Sequence, residues 1–234
     1  MRVFLANFRG SPVIFRNRWW EWLVSGIVVA GLFLFVWWYH HLRGRSYDLF
    51  AANKSLAIGS FIAICLSLSL GSLRRLAGLP EVIFRLRRPL GVLAVVAVVL
   101  HSVISLFLLP AHFGWSFYGK KPVASLLGGA ALVGLGLIAA TSFKRMFERL
   151  GPVAWKRIHN LGYVLVGMIM IHYLLLGKPQ NWVIWVMLHD QPVPPGTMLA
   201  SVFGLAALLL ETMDLAVGLF RREDGPGMKS EAIT

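Results

Sequence analysis

The 234-residue chain is 57% hydrophobic and 14% charged, with a mean hydropathy of +0.70 and a formal net charge of +13. Such a composition excludes an ordinary soluble domain, and apolar stretches near ~20 residues recur along the chain. The basic excess needs no nucleic-acid partner, since no basic-aromatic stripe accompanies it and membrane topology with attraction to anionic lipid accounts for it.

In chain order, an arm over residues 1–18, rich in Arg and Phe, precedes the first apolar stretch, Trp20 to Trp38. This stretch lacks a small-residue cleavage pattern, so a retained helix is expected. Trp19, Trp20, Trp37 and Trp38 read as interfacial anchors, and His40 and His41 beyond them as solvated or interfacial groups. The second stretch, Phe50 to Leu73, holds the only cysteine, Cys65, which excludes an intrachain disulfide and a cysteine-based metal cluster. The third, Pro89 to Leu109, follows the pair Arg87-Arg88 and carries His101 deep inside it. His112 follows in a loop. The fourth runs from Pro122 to Phe143, and the fifth, Ile158 to Leu176, has His159 near its start and His172 in its far half.

Gly177 to Gly196, with four prolines, is expected to be irregular; His189 lies there, Trp182 and Trp185 read as anchors, and Trp182 to Pro195 could dock an outer redox partner. The sixth stretch, Thr197 to Phe220, contains Glu211 and Asp214, which share a face at i and i+3. An ion-paired structural role is expected for them, with a proton or quinol role as the alternative. A polar tail, residues 221–234, closes the chain. The fold class is therefore all-α, an integral membrane bundle of six transmembrane helices over residues 19–220.

Charge sets the expected orientation. The arm, the second and fourth loops and the tail carry 17 Lys and Arg; the remaining loops carry six. Both termini are then cytoplasmic. There is no P-loop, no G-x-G-x-x-G after a strand, no H-E-x-x-H and no internal repeat.

An ionisable side chain within bilayer hydrocarbon marks a functional site by default, since leaving it unpaired costs roughly 3 kcal/mol or more. His101 lies thirteen residues beyond Arg88, a rise of roughly 20 Å, and His172 lies thirteen beyond His159 at the same inner edge. The third and fifth helices run parallel, so His101 and His172 are at matching depth. Two such imidazoles can take opposite faces of a flat macrocycle, as in a bis-histidine b-type haem held in a bundle core. A lone intramembrane histidine is more commonly a hydrogen-bonding residue between helices; depth matching argues against that for the pair. His159 has no depth-matched histidine, its counterpart being Arg88. Thirteen residues also separate His159 and His172 by roughly 140° around a helix. Either Gly162 and Gly167 permit local adjustment, or the two bind on different sides. Gly91, Gly128, Gly129, Gly134, Gly136 and Gly162 could make room for a porphyrin, although packing explains glycine equally well.

The run Arg87-Arg88-Pro89-Leu90-Gly91 leading to His101, then Thr141-Ser142, Leu150-Gly151, and Trp155-x-x-x-His159-Asn160 through His172-Tyr173, resembles the ferric reductase-like transmembrane domain. The resemblance covers about residues 50–178. Within that family it is similar to the haem-binding membrane subunits of periplasmic methionine sulfoxide reductase systems. The resemblance implies a multi-pass protein of the bacterial inner membrane that relays electrons through haem b, one or two per chain, with FMN as a further cofactor. Quinol or a cytosolic flavin reductase would donate, and a periplasmic molybdopterin methionine sulfoxide reductase subunit would accept. Carried over by position, His101 and His172 ligate one haem and His159 a second haem or its edge. Arg74, Arg75, Arg87, Arg88, Lys156 and Arg157 are candidates for haem propionates or an FMN phosphate, Arg88 first among them. One third-helix histidine of the oxidase and metalloreductase branches is missing, and the chain stops 14 residues after Phe220, so an external donor is expected. No catalytic residue is assigned, because such a relay is an oxidoreductase only through its partner. The alternatives are a ferric or cupric reductase-type protein of the same fold and a non-haem transporter, although the broken helices and half-repeats of transporters are absent.

Overall fold

The computed structural model describes residues 18–189 and 191–223, with side chains through residue 220. Arg2, Arg9 and Arg16 of the arm and Lys229 of the tail lie outside the described residues. Helix α1 is Trp19–Leu42, α2 Leu49–Ala77, α3 Glu81–Phe84 and α4 Arg87–Val103, which runs into a π-helical turn, Ile104–Leu108. Helix α5 is Trp115–Lys120, α6 Pro122–Thr141, α7 Lys144–Leu175, α8 Lys178–Leu188 and α9 Gly196–Glu223. Among the described residues, six segments are long and apolar enough to cross a membrane: α1, α2, Glu81–Leu108, α6, α7 and Gly196–Phe220. Among the described residues there is no strand.

Local chemistry sets the boundaries. Asp48 caps α2 by accepting from the Ala51 amide at 2.7 Å, and the Ser46 hydroxyl with that amide holds its carboxyl below the usual range. Gly78, at φ 66°, turns the chain out of α2 in the left-handed conformation. Pro122 opens α6, where its missing N–H costs nothing.

Three expectations need correction. The fifth spanning helix starts at Lys144 rather than Ile158, and absorbs the basic loop across a kink at Gly151 (φ 72°) followed by Pro152. The Gly151-Pro152 pair bends the chain, but the segments on both sides keep helical bonding. Gly177 to Gly196 is not wholly irregular: Lys178–Leu188 is helical, with Pro179 in the first turn, where proline is tolerated. The third helix is not uniform either, because it passes into π geometry three residues after His101.

Helix α2 is the centre of the bundle. Of its most apolar window 72% is buried, against 11 to 28% for the other spans. Its small residues explain why: Ala51, Ser55, Gly59, Ser60, Ala63, Ser67 and Ser72 are all buried, and small side chains let neighbouring backbones approach closely. A Cβ on Gly59 would meet the Phe33 amide nitrogen of α1 at 3.3 Å. Around it pack α1, α4, α7 and α9, while α6 pairs mainly with α7. The apolar residues left exposed, such as Leu126, Val133 and Leu209, face outward, as lipid requires.

Candidate functional site

His101 and His172 both sit near the ends of their α-helical stretches, two residues before Val103 and three before Leu175. They are close enough to act on one another electrostatically. Each points Nδ1 at a carbonyl of an antiparallel neighbour near that neighbour's start. His101 Nδ1 lies 3.0 Å from the Asn53 main-chain oxygen and 2.9 Å from its Oδ1; His172 Nδ1 lies 2.7 Å from the Ala124 oxygen. A carbonyl oxygen only accepts, so Nδ1 carries the proton in both rings and Nε2 keeps its lone pair. Among the described residues, no hydrogen bond engages either Nε2.

Asn53, to which the sequence assigned no role, and Gly128, expected only to make room for a porphyrin, make this possible. Asn53 is fully buried and oriented by donating from Nδ2 to Ser105 Oγ at 2.8 Å, which leaves its Oδ1 for His101. Gly128 leaves room for the His172 ring itself, since a Cβ there would fall 2.8 Å from both Cε1 and Nδ1. Of the other glycines proposed to admit a porphyrin, Gly91, Gly134 and Gly162 are packed against Ser67, Leu165 and Leu68, whereas Gly129 and Gly136 face open space. A depth comparison would have found Asn53, a carboxamide in the first turns of an apolar span; nothing in the sequence separates Gly128 from Gly129.

His159 is placed differently. Its Nδ1 donates to the Trp155 carbonyl of its own helix at 3.0 Å, its Nε2 lies 3.2 Å from Ser142 Oγ, and its ring stacks on Trp155 at 3.9 Å. The Trp155 Nε1 in turn donates to the Thr141 carbonyl at 2.9 Å, which pins this cluster to the end of α6. Neither Gly162 nor Gly167 distorts α7. The rings of His159 and His172 instead reach opposite ends of α6, which must therefore cross α7 obliquely.

The candidate cations do not converge. Arg74 pairs with Glu81 and covers the Phe84 ring, and Arg75 pairs with Asp214 at 2.5 Å and Glu211 at 3.4 Å. Glu211 also accepts from Ser72 at 2.9 Å, so the two acids are ion-paired between α2 and α9. Arg87 lies against Gly71 and acts electrostatically on His159. Arg88 sits over the Phe143 ring, 5.4 Å away and next to Ser142 in sequence. Lys156 and Arg157 are exposed.

Among the described residues, no three His, Cys, Asp or Glu side chains converge as a bare metal ion would need. Two imidazoles that each keep Nε2 for a ligand suit an iron whose other four ligands come with a macrocycle. Residues 55–170, about half the chain, match the family described as the ferric reductase like transmembrane component.

The chain belongs to the ferric reductase-like transmembrane family.

His101 and His159 lie inside the matched residues of this ferric reductase-like protein, and His172 two positions beyond them. The protein is 30% identical over 129 residues to the protein-methionine-sulfoxide reductase heme-binding subunit MsrQ of Polaromonas naphthalenivorans, covering 50% of this chain and 54% of that one. It is also 29% identical over 133 residues to the magnetosome protein MamZ of Magnetospirillum gryphiswaldense, covering 55% of this chain and 20% of MamZ. The match thus spans about half the length of the first relative and a fifth of the second.

Proposed function

We propose that this ferric reductase-like protein relays electrons across the bacterial inner membrane through haem b held by His101 and His172. The observation that carries the reading is the pair of Nδ1-anchored imidazoles with unengaged Nε2 atoms. Bound haem would supply a one-electron couple, and His101 and His172 are the residues that would hold its iron. The chain does the rest. Asn53 and the Ala124 carbonyl fix the ring orientations and make the imidazoles more basic, and the apolar residues of α2, α4, α6 and α7 exclude water. The haem named in the MsrQ relative supports this assignment.

His159 would serve a second haem or its edge. Arg87, which acts electrostatically on it, and Arg88, over the Phe143 ring, are the cations we assign to propionates or an FMN phosphate; Arg74 and Arg75 are already engaged by carboxylates. With both termini cytoplasmic, this arginine-rich end faces the donor, quinol or a cytosolic flavin reductase. The acceptor on the other side is a periplasmic molybdopterin methionine sulfoxide reductase subunit, in line with the MsrQ similarity. A second outlet, reduction of external ferric or cupric ions, is favoured by the family's ferric reductase description.

Reduced-minus-oxidised spectra with pyridine haemochrome quantification on the parent, His101→Ala, His172→Ala and His159→Ala test the relay. The b-type signal is expected to fall in the first two variants and persist in part in the third. A parent without haem, or full retention in both His101→Ala and His172→Ala, would sink the relay. Reoxidation that needs the molybdoenzyme rather than metal salts would separate the two outlets.

A further inference from the structure

At the end of the bundle away from Arg74 and Arg75, four elements meet around a buried imidazole that the relay does not use. His40, in the last turn of α1, is only 8% exposed, and its Nε2 is buried without a hydrogen-bond partner. A Cβ on Gly196, the first residue of α9, would lie 3.5 Å from Cε1 and 3.9 Å from Nε2 of this ring. The unpartnered nitrogen therefore lies at the opening of a 28-residue helix, where the Gly196 and Thr197 amides have no preceding carbonyl of the helix to bond and the helix dipole is positive.

Among the described residues, the charges that act on His40 are all positive. Lys54, Arg43, Arg45 and Lys178 all act electrostatically on His40, and they come from α2, the α1–α2 loop and the start of α8. Lys54 and Lys178 are half-buried; Lys54 Nζ lies 3.9 Å over the Phe50 ring, and none of the described ion pairs involves either lysine. Burial, and then Arg45, pushes the Lys178 ammonium below the ordinary lysine range. Asp48 reaches Lys54 electrostatically, but its oxygens are spent on the Ser46 hydroxyl and the Ala51 amide.

A helix N-terminus, a buried unpartnered imidazole and half-buried ammonium groups make an environment built for compensating negative charge. We propose that this corner of α1, α2, α8 and α9 binds one phosphate-class oxyanion through His40, Lys54, Lys178 and the first amides of α9. The anion is either the headgroup phosphate of an anionic lipid or free phosphate. The burial of His40 favours such a small group over a folded acidic partner, whose carboxylates would meet only the exposed Arg45.

The test uses the haem-loaded chain in phosphatidylcholine nanodiscs. Thermal unfolding is followed against inorganic phosphate, with chloride at matched ionic strength as control. A saturable rise of the midpoint with phosphate is expected, with apparent affinity at least about tenfold weaker in His40→Gln and in Lys54→Gln/Lys178→Gln. A parallel series in phosphatidylglycerol nanodiscs separates the sources: stabilisation seen only there, and lost in the same variants, assigns the site to lipid. Equal responses to phosphate and chloride with no phosphatidylglycerol effect, or unchanged responses in the variants, would overturn the site. So would binding of polyglutamate alone, which would make the corner a protein-docking surface. Haem spectra check that the variants fold; if His40→Gln or the Lys54→Gln/Lys178→Gln double variant loses haem, Lys178→Gln alone, on α8 rather than on a membrane-spanning helix, decides the question.

Discussion

The three histidines of the bundle interior are chemically the same, yet the layer of His101 and His172 differs from the layer of His159. In all three rings Nδ1 donates to a carbonyl. For the pair that carbonyl belongs to another helix, and Nε2 is left unengaged. For His159 the carbonyl is one turn back on α7 and Nε2 meets Ser142. The Ser142 hydroxyl has a single proton and also lies 2.7 Å from the Ile138 carbonyl, so its bond to His159 is the weaker claim on that proton. Under the proposed relay, the difference teaches that what holds the other nitrogen of an imidazole, and not its depth alone, leaves Nε2 ready for a metal.

The largest expected effect that would sharpen this contrast comes from Gly128. In Gly128→Val the new side chain occupies the space of the His172 ring, and haem occupancy per chain should fall at least about tenfold, since an axial ligand is moved off its position. Gly129→Val, one residue along and facing open space, should keep parental occupancy. Equal behaviour of the two, measured by pyridine haemochrome, would break the argument that α6 seats His172.

Next comes Asn53→Leu. It removes Oδ1 and leaves Ser105 without its partner, while His101 keeps the main-chain bond. A buried polar group left unpaired costs about 1–3 kcal/mol, which should appear as a lower unfolding midpoint. Loss of an acceptor on Nδ1–H also makes the imidazole a poorer donor to ferric iron, so the midpoint potential should rise by roughly 30–60 mV for a one-electron couple. A redox titration that shows no rise would mean the Asn53 contact positions the ring without tuning it.

Ser142→Ala should have the smallest effect. It frees Nε2 of His159 and leaves the pair untouched, so the main b-type signal should change by less than about 10% while any inner-layer signal strengthens. A loss of the main signal would show that the layers are coupled.

The sequence carried the spans, because length and apolar composition are local properties of each segment; the matched depth of His101 and His172 rests on helical rise counted from Arg88 and His159. Glu211 and Asp214 were also legible, since two acids on one face near a basic edge call for cations. The kink at Gly151-Pro152 was written in the residues, but the basic segment around it reads as a loop until α7 is seen to continue through it. What stayed hidden were relations across helices: the Asn53 and Ala124 acceptors, the unlike surroundings of Gly128 and Gly129, and the burial of His40, expected at the surface and found beneath α9. Each depends on how neighbouring helices are rotated about their axes, and no single segment encodes that rotation.

The central claim is that His101 and His172, and not His159, hold the same iron. Low-temperature electron paramagnetic resonance of the oxidised, purified protein tests it most directly, on the parent beside His159→Ala and His172→Ala. The account predicts a low-spin bis-imidazole signal in the parent that survives in His159→Ala and gives way to high-spin iron or no haem in His172→Ala. A signal that survives in His172→Ala and vanishes in His159→Ala would contradict it.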